Sequence, residues 1–350
     1  MKIDLRSDIL GGWSPDVLKA IVEAAGDPRG FAHGEDINQS ALEEELADLF
    51  GFEAALFVPT GTMANQIAVR VWCQPGQVIV ADREAHVAIN ESSSTAGLNG
   101  VVVRGVDGRQ GHLSVDMVTH ALGTTPRSSI DRQVGLVWLE NTHNHAGGTV
   151  APDGWTAGVG AYCRHVGKPV HVDGARIWNA AVATAKEPSE LVKGASSLSV
   201  NLNKAVGAPV GAVILGDRSF MEEAARVRKM FGGWWRPVGM LAAGARAAVR
   251  AYKEKLAADH VRAGALAARL SEHIHSIGAV NEPQTNIVMM TGPSEEWARS
   301  TLAGLKERQV LASAYGHGRI RFVLHAGISD REVVAAADAV GAVLASAERR

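Results

Sequence analysis

Cysteine is nearly absent: the 350 residues hold two, Cys73 and Cys163. Neither sits in a CxxC pair or beside clustered histidines, which argues against a disulfide framework or a zinc site and suits a reducing cytoplasm. An excess of charge is also lacking. Lys plus Arg number 35 against 37 for Asp plus Glu, a net charge of −2, so no general attraction to nucleic acid or an anionic membrane is expected. No run of about 18 apolar residues occurs, and the opening MKIDLRSDILGG carries Lys2, Asp4, Arg6 and Asp8 where a secretory signal would be apolar. A soluble cytoplasmic protein is expected, whose ligands must be recognised by local groups.

What the chain does have is 46% hydrophobic content, enough to bury a sizeable core in one large domain or two. Short apolar runs at 54–58, 78–81, 101–103, 135–139, 169–172, 197–202 and 211–215 alternate with helix-like segments. This alternation predicts an α/β domain with a mainly parallel sheet. Residues 240–277 are rich in Ala, Leu, Arg and Glu, lack Pro and read as one long helix. Strand 286–290, helix 295–309, strand 319–325 and helix 330–347 then read as a small α+β domain. The expected division is an arm at 1–13, a large α/β domain at 14–245, and a linking helix with a small C-terminal α+β domain at 246–350.

Three segments carry candidate chemistry, each after a different apolar run. Pro59-Thr60-Gly61-Thr62-Met63-Ala64-Asn65 is a strand-to-helix turn that directs free N–H groups and a helix dipole at an anion, with the Thr62 hydroxyl as a further donor. A plain Thr-capped turn would read the same. Val170-His171-Val172-Asp173-Gly174-Ala175-Arg176 places Asp173 at the carboxyl end of a buried strand. A carboxylate there needs a partner, and Arg176 could serve as a purely structural one. Asn203-Lys204-Ala205-Val206-Gly207 sets a lysine among small residues, where partial desolvation would lower its pKa for Schiff-base chemistry; a snorkelling surface lysine is the other reading. Together they form a pyridoxal 5′-phosphate (PLP) constellation: a phosphate anchor, a carboxylate for the ring nitrogen and a lysine for the aldehyde.

DLRSD (4–8), GED (34–36), EAALFVPTGTMANQ (53–66), EAH (84–86), LENTHN (139–144), HVDGARIWNAAVA (171–183), NKAVGAPVGAV (203–213) and RFVLHAGIS (321–329) resemble, in order, the threonine aldolase family of fold type I PLP enzymes, within the β-eliminating lyase group. The resemblance implies a fold type I large domain with a small C-terminal α+β domain. It makes Lys204 the Schiff-base lysine, Asp173 the ring-nitrogen partner, His86 the imidazole stacked on the ring, and Gly61 and Thr62 the phosphate cradle. Arg236 matches an arginine that reaches the site from a neighbouring subunit, which implies a homo-oligomer, a dimer of dimers. Ser7, Arg176 and Arg321 match groups around the substrate carboxylate and the cofactor's phenolic oxygen, and His143 a histidine near the substrate β-hydroxyl.

The activity implied is cleavage of the Cα–Cβ bond of an L-β-hydroxy-α-amino acid, by default L-threonine or L-allo-threonine, to glycine and an aldehyde. Ile9, His33, Asn203, Trp234 and Trp235 stand where the family commonly has Thr, Tyr, Ser and a Gly-rich stretch. His33 is a candidate substrate-binding residue, and a pocket reshaped by these residues would suit transaldolation, racemisation or β-elimination instead. A non-catalytic protein keeping the fold is the remote alternative, against which Lys204, Asp173 and the arginines are all present.

Overall fold

The computed structural model describes residues 2–26, 30, 34–123, 133–274 and 276–347. All seven apolar runs of the first part become strands of one sheet, in the spatial order Ala54–Val58, Ala212–Gly216, Ser197–Asn201, Val170–Asp173, Val134–Glu140, Val78–Asp82, Val102–Val106. Ala212–Gly216 is antiparallel to both neighbours, and the other pairings are parallel. Every residue of Val78–Asp82, Val134–Glu140, Ser197–Asn201 and Ala212–Gly216 is buried. A sheet covered on both faces imposes that burial, which is why these strands read as unbroken apolar runs rather than alternating ones. Phe50, Trp178, Leu198 and Leu256 belong to the core on one face; Ile67, Trp138 and Phe220 belong to the other.

Local chemistry starts and stops the covering helices. Ile37–Phe50 begins where the Asp36 carboxylate accepts the N–H groups of Asn38 and Gln39, both at 3.1 Å, and ends at Gly51 with φ of 71°. Gly61–Trp72 begins at Thr60, whose Oγ1 accepts the Met63 N–H at 3.1 Å.

The expected single helix over 240–277 is two, Gly239–Arg250 and Tyr252–Ile274, meeting at Ala251. There the Ala251 N–H bonds three residues back, to the Ala248 carbonyl, while the Tyr252 ring packs 4.9 Å from that of Trp178. A tertiary contact sets this break, and composition alone shows no sign of it.

The small sheet is antiparallel in the order Ser313–Ala314, Arg319–Val323, Ile287–Thr291, Ala279–Val280, and its core joins Leu266, Leu270, Phe322 and Val340. The arm is not separate from it: Ile3–Asp4 pairs in parallel with Val310–Leu311, and Ile3 and Leu5 lie in the small core. We propose that the domain division falls inside Tyr252–Ile274, because Leu256 packs in the large core and Ala263 in the small one. Among the described residues no helix is long and apolar enough to cross a membrane.

Candidate active site

The carboxyl ends of the parallel strands gather the polar groups, as open α/β sheets do. Glu140 and Asp173 are register partners at the ends of adjacent strands, and both are buried. Asp173 Oδ2 accepts from Asn65 Nδ2 at 2.9 Å and its Oδ1 from the Ala175 N–H at 3.0 Å. Arg176 is not its partner. That guanidinium turns to Asp8 in the arm, with Nε and Nη2 each 2.8 Å from a carboxylate oxygen. The geometry explains the choice: Asp173 folds one oxygen back on its own turn, whereas Asp8 offers both to the guanidinium fork.

Lys204 lies just past Ser197–Asn201, half-buried, and its Nζ has no hydrogen bond or ion pair among the described residues. Burial first, then the Arg176 charge, lower its pKa to about 8, against the opposing pull of Asp173, Asp8 and Glu140. An amine without a partner, closer than usual to neutrality, is ready to attack a carbonyl.

A buried network runs behind Asp173. Glu91 Oε1 accepts from Asn65 Nδ2 at 2.9 Å and lies 2.8 Å from His86 Nδ1. Asn65 thus donates to two carboxylates at once. His86 itself is partly exposed, so its ring borders the site while its rear nitrogen is held. Burial would lower its pKa, but Glu91, Asp173 and Glu140 outweigh burial and raise it. Glu140 ties two walls together: Oε2 takes the His86 N–H at 2.6 Å and Oε1 the Asn144 N–H at 2.9 Å.

Asn144 then bridges the arginines. Its Oδ1 accepts from Arg176 Nη1 at 3.2 Å and Arg321 Nη1 at 2.7 Å, and its Nδ2 meets Tyr315 Oη. Arg321 also donates to Tyr315 Oη at 2.7 Å and to the Arg6 carbonyl at 3.1 Å. Ser7, between Arg6 and Asp8, is therefore flanked by contacts to both arginines. Its Oγ accepts the Ile9 N–H at 3.3 Å. Burial and the nearby Arg176 lower the Arg321 pKa to about 10. Two guanidiniums held this close call for a further anion.

Other expected residues fall elsewhere. His143 is fully buried, with Nδ1 accepting the Ala146 N–H at 3.2 Å and Nε2 3.2 Å from Asp82 Oδ1, so its ring presents no edge to solvent. Arg236 is exposed on the loop after Trp235, a residue 44% exposed, whereas Trp234 lies beneath Arg228 and Lys229 at 5.0 and 5.5 Å. His33 lies outside the described residues.

The donor set fits PLP. Lys204 has a free amine, Asp173 a buried carboxylate, and the N–H groups of Gly61 and Thr62, at the start of a 12-residue helix, have no partner among the described residues. Thr62 also borders a separate cleft of about 440 Å³, lined by Thr60, Met63, Gln66 and Leu98, that includes neither Lys204 nor Asp173. Sequence reasoning missed Asn65, Glu140 and Asn144, although they lie inside PTGTMANQ and LENTHN, because a motif does not say what its amides and carboxylates touch. Glu91 and Tyr315 carried no signal: only folding brings them to the site.

Comparison with known proteins agrees with this geometry. The beta-eliminating lyase family model matches residues 4–292. Low-specificity L-threonine aldolase 1 of Arabidopsis thaliana is 34% identical over 95% of this chain and 93% of its own length. The low specificity L-threonine aldolase of Escherichia coli K12 is 34% identical over 95% and 96%. The fold is also that of a Leishmania major threonine aldolase, with a TM-score of 0.81 at 17% identity over 98% and 99% of the two chains. A family model spanning most of the chain and relatives a third identical along nearly all of it lead to one conclusion: this protein belongs to the beta-eliminating lyase family, alongside the low-specificity L-threonine aldolases.

Proposed function

We propose that this chain is a PLP-dependent aldehyde-lyase that cleaves the Cα–Cβ bond of L-β-hydroxy-α-amino acids, L-threonine or L-allo-threonine by default, to glycine and an aldehyde. The observation that carries this reading is an unpartnered Lys204 amine within electrostatic reach of both Asp173 and Arg176. Bound there, PLP supplies a sink for the electron pair left on Cα when its bond to Cβ breaks.

The protein's own groups do the rest. Arg321 and Arg176, set by Asn144 and Asp8, bind the substrate carboxylate, with Ser7 between their anchors. The Arg176 fork is taken by Asp8, so Arg321, whose Nε has no partner among the described residues, offers the fork that fixes the carboxylate in one plane, and Arg176 adds its charge beside it. Asp173, held by Asn65, would be the carboxylate that partners the ring nitrogen. Gly61 and Thr62 anchor the phosphate. His86 would lie against the bound cofactor and, among the described residues of the site, is the imidazole with an edge free to take the β-hydroxyl proton, while His143, locked between Asp82 and Ala146, shapes the turn that carries Asn144.

If His86 is that base, kcat/KM should fall as the pH drops through its raised pKa, because protonated imidazole cannot accept the proton. Glu91→Gln removes the charge that raises this pKa. The acid limb of the pH–rate profile should then move to lower pH, and a limb that stays in place would assign the proton transfer to another group.

A homo-oligomer, a dimer of dimers in which Arg236 serves a neighbouring subunit, accords with its exposure. Large apolar side chains are also exposed along the first turns of the chain: Ile9 53%, Trp13 53% and Val22 71%. A cytoplasmic location suits two cysteines that are both free and buried. The test of the activity is to incubate the PLP-loaded protein with L-threonine, L-allo-threonine and a set of aryl and aliphatic β-hydroxy amino acids. Glycine and aldehyde should appear in equal amounts. Failure with every substrate, while the lysine-bound cofactor still reacts with amino acids, would discard the aldolase reading and favour racemisation, transaldolation or β-elimination.

A further inference from the structure

The first turn of Gly61–Trp72 commits two of its N–H groups: Met63's goes to Thr60 Oγ1 and Ala64's to the Thr60 carbonyl. Those of Gly61 and Thr62 remain. The side chain packed against this turn is Asn201, at the carboxyl end of Ser197–Asn201 and three residues before Lys204. A Cβ on residue 61 would lie 2.2 Å from Asn201 Oδ1 and 2.8 Å from Nδ2. The carboxamide therefore occupies the space a side chain at 61 would need, and Gly61 is required for that reason.

Asn201 is 8% exposed, and its Nδ2 makes one long contact, 3.4 Å to Asn203 Oδ1. The carboxamide is not one of the sealed, partnerless groups of the interior, so it keeps N–H bonding capacity at a partly accessible position that a ligand can use. The place where it lies already concentrates donors: a helix N-terminus on one side and Lys204 three residues on.

We propose that Asn201 is a phosphate-binding residue of this enzyme, its Nδ2–H donating to a phosphate oxygen of the bound cofactor beside the N–H groups of Gly61 and Thr62. Asn203, where the family commonly has serine, holds the Asn201 carboxamide in place. This inference rests on the PLP reading of the site and adds a ligand to it. A neutral donor adds a charge-assisted hydrogen bond without another buried cation beside Lys204.

The test compares PLP with pyridoxal, which lacks the phosphate, in the full-length chain freed of cofactor. Binding is followed by the absorbance of the lysine-bound form and by tryptophan fluorescence. Asn201→Ala should weaken PLP by about 10- to 100-fold, the scale of one hydrogen bond to a charged group, and leave pyridoxal within about twofold. Asn201→Asp, which keeps the shape but sets a carboxylate against the phosphate, should weaken PLP further and again spare pyridoxal. Equal weakening of both ligands would reduce Asn201 to a structural role and overturn the proposal, as would unchanged PLP affinity in both variants. A wild-type chain that forms no Lys204-dependent absorbance with PLP would instead refute the cofactor reading itself.

Discussion

Lys204→Ala should leave a folded protein that neither shows the absorbance of a lysine-bound cofactor nor loses colour with borohydride, with turnover reduced by about 10²–10⁴-fold or more. The argument is geometric before it is electrostatic. Lys204 follows Ser197–Asn201, the strand next to the one that ends in Asp173, and among the described residues its amine has no partner. Burial and Arg176 lower its pKa to about 8, so a useful fraction is neutral near physiological pH. Alanine at 204 removes the amine proposed to hold the aldehyde covalently, while Asp173, Gly61 and Thr62 stay in place to bind PLP non-covalently. Far-ultraviolet circular dichroism and an unchanged melting temperature would establish that the loss is chemical. Retained turnover with a bleachable chromophore would mean that another lysine serves.

Asp8→Ala should lower stability by about 3–5 kcal/mol, because it strands a buried guanidinium. Arg176 is 5% exposed and Asp8 2%, and the two form a fork-to-fork pair that ties the arm to the large sheet. Denaturant unfolding measures the cost. Asp8→Ala combined with Arg176→Met should recover much of it, since no charge is then left unpaired; failure to recover would mean that the arm is held mainly by apolar packing. The pair also has a pH signature. Burial would raise the Asp8 pKa, but Arg176 outweighs burial and holds it well below the usual carboxylate range. A depressed folded-state pKa contributes stability above the unfolded value of about 3.9 and loses it as the pH falls through the folded value. The wild type should therefore lose more stability in strong acid than Asp8→Ala does.

Both expectations start from residues that the sequence singles out, yet only one could be argued from it. Lys204, Asp173 and the cradle at Gly61 and Thr62 each follow an apolar run, and a buried parallel sheet makes such runs conspicuous. Strand ends can thus be read from the amino acids alone. The seven strands and the helices after them were legible for the same reason: their period and burial are local properties. The join at Ala251 was not, because a ring contact between Tyr252 and Trp178 decides it.

Pairing among charged and amide groups belongs to the tertiary structure. Asp8 and Arg176 lie 168 positions apart, and the short separation of Arg176 from Asp173 suggested the wrong partner. Asn144 bridges Arg176 and Arg321 across the two domains, and Glu91, just before the helix Ser92–Asn99, reaches Asn65 in another helix as well as His86 five residues back. Motif residues by themselves pointed to the family and the cofactor and singled out Lys204, since a motif is a local run of residues that needs no fold to be read. Which carboxylate neutralises which cation, which histidine keeps an open edge and why residue 61 has no side chain were decided by folding. Ion pairs and carboxamide contacts are set by distances of about 3 Å, and those distances exist only once the strands are side by side.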